Sequence, residues 1–183
     1  MTKTALVAIA DGTEELEAVT IIDVLRRAGT QVTVASVGTL QIKASRGVKL
    51  VADCVIADCK NKTFDLIVLP GGLGGAEHLR DCKQLIEMLQ SQKQAGRLYA
   101  AVCASPAVVL TPHGLLDDRQ ATCYPTMADQ LPDTSKAKQR VVVDGNCITS
   151  QGPGTALEFS IELVRRLFDD SRAGQVAEAM LVS

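Results

Sequence analysis

The sequence predicts a doubly wound α/β sandwich, and three observations lead there. Short apolar runs of strand length alternate with amphipathic helical stripes from the first residues onward. The runs are continuously apolar rather than alternating, as in parallel strands covered on both faces. No internal repeat, low-complexity tract or linker interrupts the alternation.

Ala5 to Ala10 is the first such run, and Asp11-Gly12-Thr13 turns the chain. Thr13 is expected to cap a helix whose first turn carries Glu14, Glu15 and Glu17 at the positive dipole end. Ala18, Ile21, Ile22, Leu25 and Ala28 form its apolar stripe, and Gly29 follows as the C′ residue. Val32 to Val37 is a second strand, so the opening unit is a right-handed βαβ. Between Leu40 and Cys59 short β-like pieces surround Ser45-Arg46-Gly47. Phe64 to Leu69 is a buried strand ended by Pro70-Gly71-Gly72, and Lys83 to Gln94 is a helix. Leu98 to Val102 is the next strand. It breaks at Cys103-Ala104-Ser105-Pro106, where Pro106 opens a helix through Leu110. Val141 to Thr149 reads as a hairpin with Asp144-Gly145 at its turn, and helices over Thr155–Phe168 and Ala173–Leu181 close the chain.

Composition bounds the possible functions. With 183 residues, 46% hydrophobic and 22% charged, residues 1–183 are expected to form one domain at about one per 150 residues. A chain this long can bury roughly 70% of its unfolded surface without disulfides or a metal. A net charge of −2 and a pI near 5.7 argue against sequence-specific nucleic-acid binding. Three Phe, two Tyr and no Trp leave little for base stacking. No apolar stretch approaches the roughly 18 residues of a membrane span. The opening run is too short for a secretory signal, so a cytoplasm with reduced thiols is expected for the six cysteines. None of them forms a CxxC pair, and His78 and His113 add little, so no metal site is expected.

In such sheets, chemistry gathers beyond the carboxyl ends of the strands. Cys103 occupies a strand-to-helix turn with Ala101 and Ser105 at two residues on either side, the spacing of a nucleophile elbow. A helix N-terminus there would favour thiolate, so Cys103 reads as a reactive thiol rather than a packing residue. Cys54, Cys59, Cys82, Cys123 and Cys147 lack that setting and read as packing or surface thiols. Gly71 and Gly72 can offer backbone N–H groups to an oxyanion; the segment fits neither a phosphate loop nor GxGxxG. Glu17, one turn into the first helix, can reach the same sheet edge, where a neighbouring thiolate would push it toward its protonated form. His78 and His113 read as incidental.

Four segments resemble the ThiJ/PfpI family, in order along nearly the whole chain: Ala8 to Glu17, Val68 to Gly72, Ala100 to Pro106 and Thr149 to Thr155. Within it they are most similar to the branch of the parkinsonism-associated protein deglycase and its bacterial relatives. The resemblance implies a flavodoxin-like sandwich with a mostly parallel sheet and helices on both faces, usually homodimeric. It implies that Cys103 is an easily oxidised nucleophile and Glu17 its protonated hydrogen-bonding partner. Gly72 and Ala104 would supply backbone N–H groups, Pro153 would line the pocket, and Arg46 and Arg27 would lie near the dimer interface, Arg46 also near the site. No cofactor is implied.

The activities implied are removal of early glyoxal and methylglyoxal adducts from proteins and nucleotides, and a cofactor-free glyoxalase making lactate from methylglyoxal. Redox sensing and chaperone activity are implied as well, and the same residues serve either reading. Two departures matter. Protease-like members carry His after the nucleophile where this chain has Ala104, which disfavours peptidase activity. The histidine near the cysteine in the human branch is replaced by Tyr124, which can orient substrate. With a pKa near 10, however, it shuttles protons poorly at neutrality. Proton transfer would then fall to Glu17 and Cys103.

Overall fold

The computed structural model describes residues 2–182. Among the described residues nine strands form: β1 (Thr4–Ile9), β2 (Gln31–Ser36), β3 (Gln41–Lys43), β4 (Lys49–Val51), β5 (Cys54–Val55), β6 (Leu66–Leu69), β7 (Leu98–Val102), β8 (Val141–Asp144) and β9 (Cys147–Ser150). Seven make one sheet in the order β5-β2-β1-β6-β7-β9-β8, parallel throughout except for β8 against β9. β3 and β4 stand apart as an antiparallel hairpin. The helices are α1 (Glu15–Arg27), α2 (Leu73–Arg80), α3 (Lys83–Gln94), α4 (Ala156–Leu167) and α5 (Asp170–Ala179). This is the flavodoxin-like, doubly wound arrangement expected.

The strands alternate their side chains between two cores. Leu6 and Ala8 of β1 join Leu79, Leu85 and Leu89 of α2 and α3 on one face. Ala5, Val7 and Ile9 join Ile21 and Leu25 of α1 and Phe159, Leu163 and Val164 of α4 on the other. Each large apolar side chain so buried contributes about 1.5–3 kcal/mol. Period-2 alternation inside an unbroken apolar run is what a sheet covered on both faces requires.

The chain runs outward from β1 to β2 and β5 on one side, and from β6 to β7 and β9 on the other. The order therefore switches between β1 and β6, and the loops leaving β1, β6 and β7 converge there.

The strand at Leu98–Val102 and the helix at Lys83–Gln94 have the expected bounds. Other expectations need correction. Thr13 does not cap α1: its buried hydroxyl accepts from the Ala10 N–H at 2.9 Å, and Glu14 holds the cap position without a side-chain bond to the helix N-terminus. The hairpin turn is Gly145-Asn146, because Asp144 pairs with Cys147, and Gly145 supplies φ +58°. Leu73–Arg80, which follows the glycines directly, is a full helix. The segment after Pro106 is a single π-type turn, Pro106–Leu110, followed by a tight turn over Thr111–His113. The helix expected from Thr155 starts at Ala156, after a tight turn over Pro153–Thr155. The last helix starts earlier, at Asp170, because Asp169 caps it by accepting the Arg172 N–H at 2.8 Å.

Candidate active site

Cys103 follows the last residue of β7 with φ +64°, a left-handed conformation that costs a non-glycine residue roughly 1–2 kcal/mol. The surroundings hold it there. Its N–H donates to Ser150 O at 3.0 Å, and its carbonyl accepts from Tyr124 N–H at 2.8 Å. The buried Ser105 hydroxyl donates to Pro70 O at 2.6 Å, tying this turn to the one after β6. Backbone strain fixed from several sides is characteristic of functional sites.

Glu17 arrives from α1 and is fully buried. Its Oε2 accepts from the Gly71 N–H at 2.6 Å. Its Oε1 is buried without a hydrogen-bond partner, and the Cys103 thiol is the titratable group that adjoins the carboxyl. Burial raises Glu17 from an ordinary 4.5 to about 7, against the opposing pull of the Gly71 amide. Burial first, then the Glu17 carboxylate, pushes the Cys103 thiol up to about 12, while the Gly72 and Ala104 amides beside the sulfur favour its anion. The lowering expected from the following turn is outweighed: the Ala104 amide favours the thiolate, but burial and Glu17 together prevail. Near neutrality the thiol therefore keeps its proton, and Glu17 titrates in the neutral range.

The glycines make this closeness possible. A Cβ on Gly71 would lie 2.5 Å from the Cys103 Cβ and 2.9 Å from Glu17 Oε2. Gly72 has φ +82°, and a Cβ there would meet Gly12 O at 2.2 Å. The Gly71 N–H is occupied by Glu17, so only Gly72 and Ala104 remain as backbone donors at the sulfur.

Tyr124 is exposed and set beside Cys103 by its backbone bond, and Pro153 is half-buried in the turn before α4. Gly152 belongs with them: a Cβ there would lie 3.5 Å from the Tyr124 ring and 3.9 Å from the Cys103 sulfur. Its part in the site was missed; the signal was a glycine directly before a proline at the end of β9. Arg46 is exposed, and its N–H donates to Glu15 Oε1 at 2.9 Å on the outer side of α1. Arg27 lies ten residues beyond Glu17, about 15 Å along the helix, paired with Asp23. His78 is exposed and bonded to Asp11 O, and His113 is bonded to Arg80 O.

The model of the DJ-1/PfpI family matches residues 3–166, most of the chain. The chain belongs to this family. It is 42% identical to protein dj-1beta of Drosophila melanogaster, covering 100% of this chain and 99% of that one. To the glutathione-independent glyoxalase DJR-1.2 of Caenorhabditis elegans it is 39% identical, over 90% and 89% of the two chains. Protein DJ-1 homolog B of Arabidopsis thaliana is 51% identical over 97% of this chain, which spans only 41% of that longer relative. Among solved structures, oxidized Toxoplasma gondii DJ-1 superposes with a TM-score of 0.97 at 45% identity, covering 100% of both chains. Among the described residues, no helix is long and apolar enough to cross a membrane.

Proposed function

We propose that this DJ-1/PfpI protein is a cysteine-dependent stress-response enzyme acting on reactive dicarbonyls such as glyoxal and methylglyoxal, or on their early adducts on proteins and nucleotides. The observation that carries this is the buried Glu17 carboxyl between the Gly71 amide and the Cys103 thiol, poised near pH 7. A general acid–base group is most effective when its pKa lies near the working pH. The C. elegans relative named a glyoxalase supports the same reading.

With methylglyoxal, ionised Glu17 takes the thiol proton as sulfur attacks the aldehyde carbon. The carboxyl returns that proton to the resulting alkoxide, giving a hemithioacetal. Glu17 then removes the hydrogen from the former aldehyde carbon and delivers it to the neighbouring carbon, while the hydroxyl proton passes from the former aldehyde oxygen to the former ketone oxygen, leaving a thioester of lactate. Water cleaves the thioester and restores the thiol, so methylglyoxal plus water gives lactate. The Gly72 and Ala104 amides hold the sulfur, and Tyr124, Gly152 and Pro153 bound the approach.

Methylglyoxal loss and lactate formation, followed without glutathione for wild type and Cys103→Ala, test this. We expect many turnovers in the wild type and none in the variant. Equal turnover in both would overturn the mechanism.

A second reading is favoured by the two amides at the sulfur, which would also stabilise sulfinate oxygens: an oxidative-stress sensor or redox-regulated chaperone. Stoichiometric aldehyde consumption by the wild type would favour it. A homodimer is part of the proposal. Leu16 and Val19 are exposed on one face of α1, and Val48 is exposed beside Glu15. Sedimentation at micromolar concentration should find dimers.

A further inference from the structure

A second pair of thiols meets at the edge of the sheet. β5 is an outermost strand, and Cys54 enters it in register with Ala35 of β2. The turn Ile56–Cys59 folds the chain back, and its last residue brings a second sulfur to within 3.7 Å of the first. The turn is held from the other side by Gln84 of α3, whose side-chain amide donates to Ile56 O at 2.6 Å. Both cysteines are free, Cys54 half-buried and Cys59 fully buried in the core with Ile56 and Phe64. The two sulfurs would close from 3.7 Å to the about 2.0 Å of a disulfide bond.

We propose that Cys54 and Cys59 form an oxidisable centre separate from Cys103, a dithiol that hydroperoxides convert to an intramolecular disulfide. Nothing in it depends on the reaction proposed for Cys103. Exposure sets the order of events: the oxidant reaches Cys54 and is excluded from Cys59. The Cys54 thiolate attacks a peroxide oxygen, the O–O bond breaks, and an alcohol (water, for hydrogen peroxide) leaves. Cys54 is then a sulfenic acid. The Cys59 sulfur attacks the Cys54 sulfur and loses its proton, the S–O bond breaks, and water departs. Two thiols and one hydroperoxide thus give one disulfide, one alcohol and one water. Burial, together with the neighbouring Cys54, pushes the Cys59 thiol up to about 11. That keeps it unreactive toward other electrophiles until the sulfenic acid forms beside it. The product cross-links the edge strand to the turn that follows it.

Both residues fall in one tryptic peptide, Leu50–Lys60, which makes the test direct. Full-length Cys103→Ala protein is treated with hydrogen peroxide, alkylated and digested without reductant. We expect this peptide lighter by two hydrogens and closed to alkylation until reduced. In the additional presence of Cys59→Ala, dimedone should capture Cys54 as the sulfenic acid. Three results would each overturn the proposal. One is full alkylation of both thiols at a peroxide dose that oxidises Cys103 in the wild type. The second is Cys54 passing to sulfinic acid beside an intact Cys59 thiol. The third is Cys54 linking two chains. If Cys59→Ala does not fold, closure of the peptide in Cys103→Ala protein decides alone.

Discussion

Glu15 and Glu17 stand two residues apart in the first turn of α1, both are buried, and they hold their protons in opposite ways. Glu15 faces the β3–β4 hairpin. Burial raises its pKa, but its own backbone N–H, those of Arg46 and Val48, and the Ser45 hydroxyl outweigh burial and leave it below the usual value. Glu17 faces the carboxyl ends of β6 and β7, where burial meets one amide and a thiol and raises it to about 7. The helix dipole acts on both alike. Depth and donors act together: Glu17 lies deeper and meets a single amide, while Glu15 lies nearer the surface among four donors, and this decides which is a fixed anion and which can exchange a proton near neutrality.

The largest expected effect lies on the Glu17 side: Cys103→Ala should bring dicarbonyl turnover to background, read as lactate formed per protein. Glu17→Gln keeps the shape and removes the exchangeable proton. It should lower kcat by about 10²–10⁴ and erase a limb of the pH–rate profile that rises through about pH 7. The same substitution should change stability in a signed way. A carboxyl raised from 4.5 to about 7 adds stability that is fully present below 4.5 and lost as pH rises through 7, roughly 3 kcal/mol across that window. Urea denaturation at pH 5 and pH 8 should find the wild type losing that stability while Glu17→Gln stays flat.

Gly71→Ala drives a Cβ against the backbone-fixed Cys103 Cβ. It should cost about 1–3 kcal/mol in denaturant unfolding, together with most of the turnover. Glu15→Gln should leave turnover nearly intact and cost about 1 kcal/mol at neutral pH. Because Glu15 is lowered, its contribution is present above the usual carboxylate range and fades as pH falls, so the two proteins should converge in acid. If Glu15→Gln instead abolished turnover, the division between the two sides of α1 would fail.

What the sequence made legible follows the range of the interactions. β7 and α3 were readable to the residue because apolar continuity and helical spacing are local signals. Cys103 was readable because small residues flank it at fixed spacing. The short-range cap at Thr13 was misread because the hydroxyl turned back to Ala10 under the packing of α2: a Cβ at Gly75 would lie 2.6 Å from Thr13 Cα. The Glu17–Gly71 bond spans 54 residues, and only the sheet order brings its two ends together. The use of the Gly71 amide by Glu17 and the four-donor hold on Glu15 carry no local pattern at all.

The most direct measurement is carbon-13 NMR of the glutamate side-chain carboxyls across pH 3 to 9, with Glu15→Gln and Glu17→Gln used for assignment. We expect one resonance, lost in Glu17→Gln, to titrate near 7 while the Glu15 resonance remains that of an anion down into the acid range. Glu17 titrating alongside ordinary carboxylates near 4.5 would contradict the proton-sharing pair on which the proposed chemistry rests.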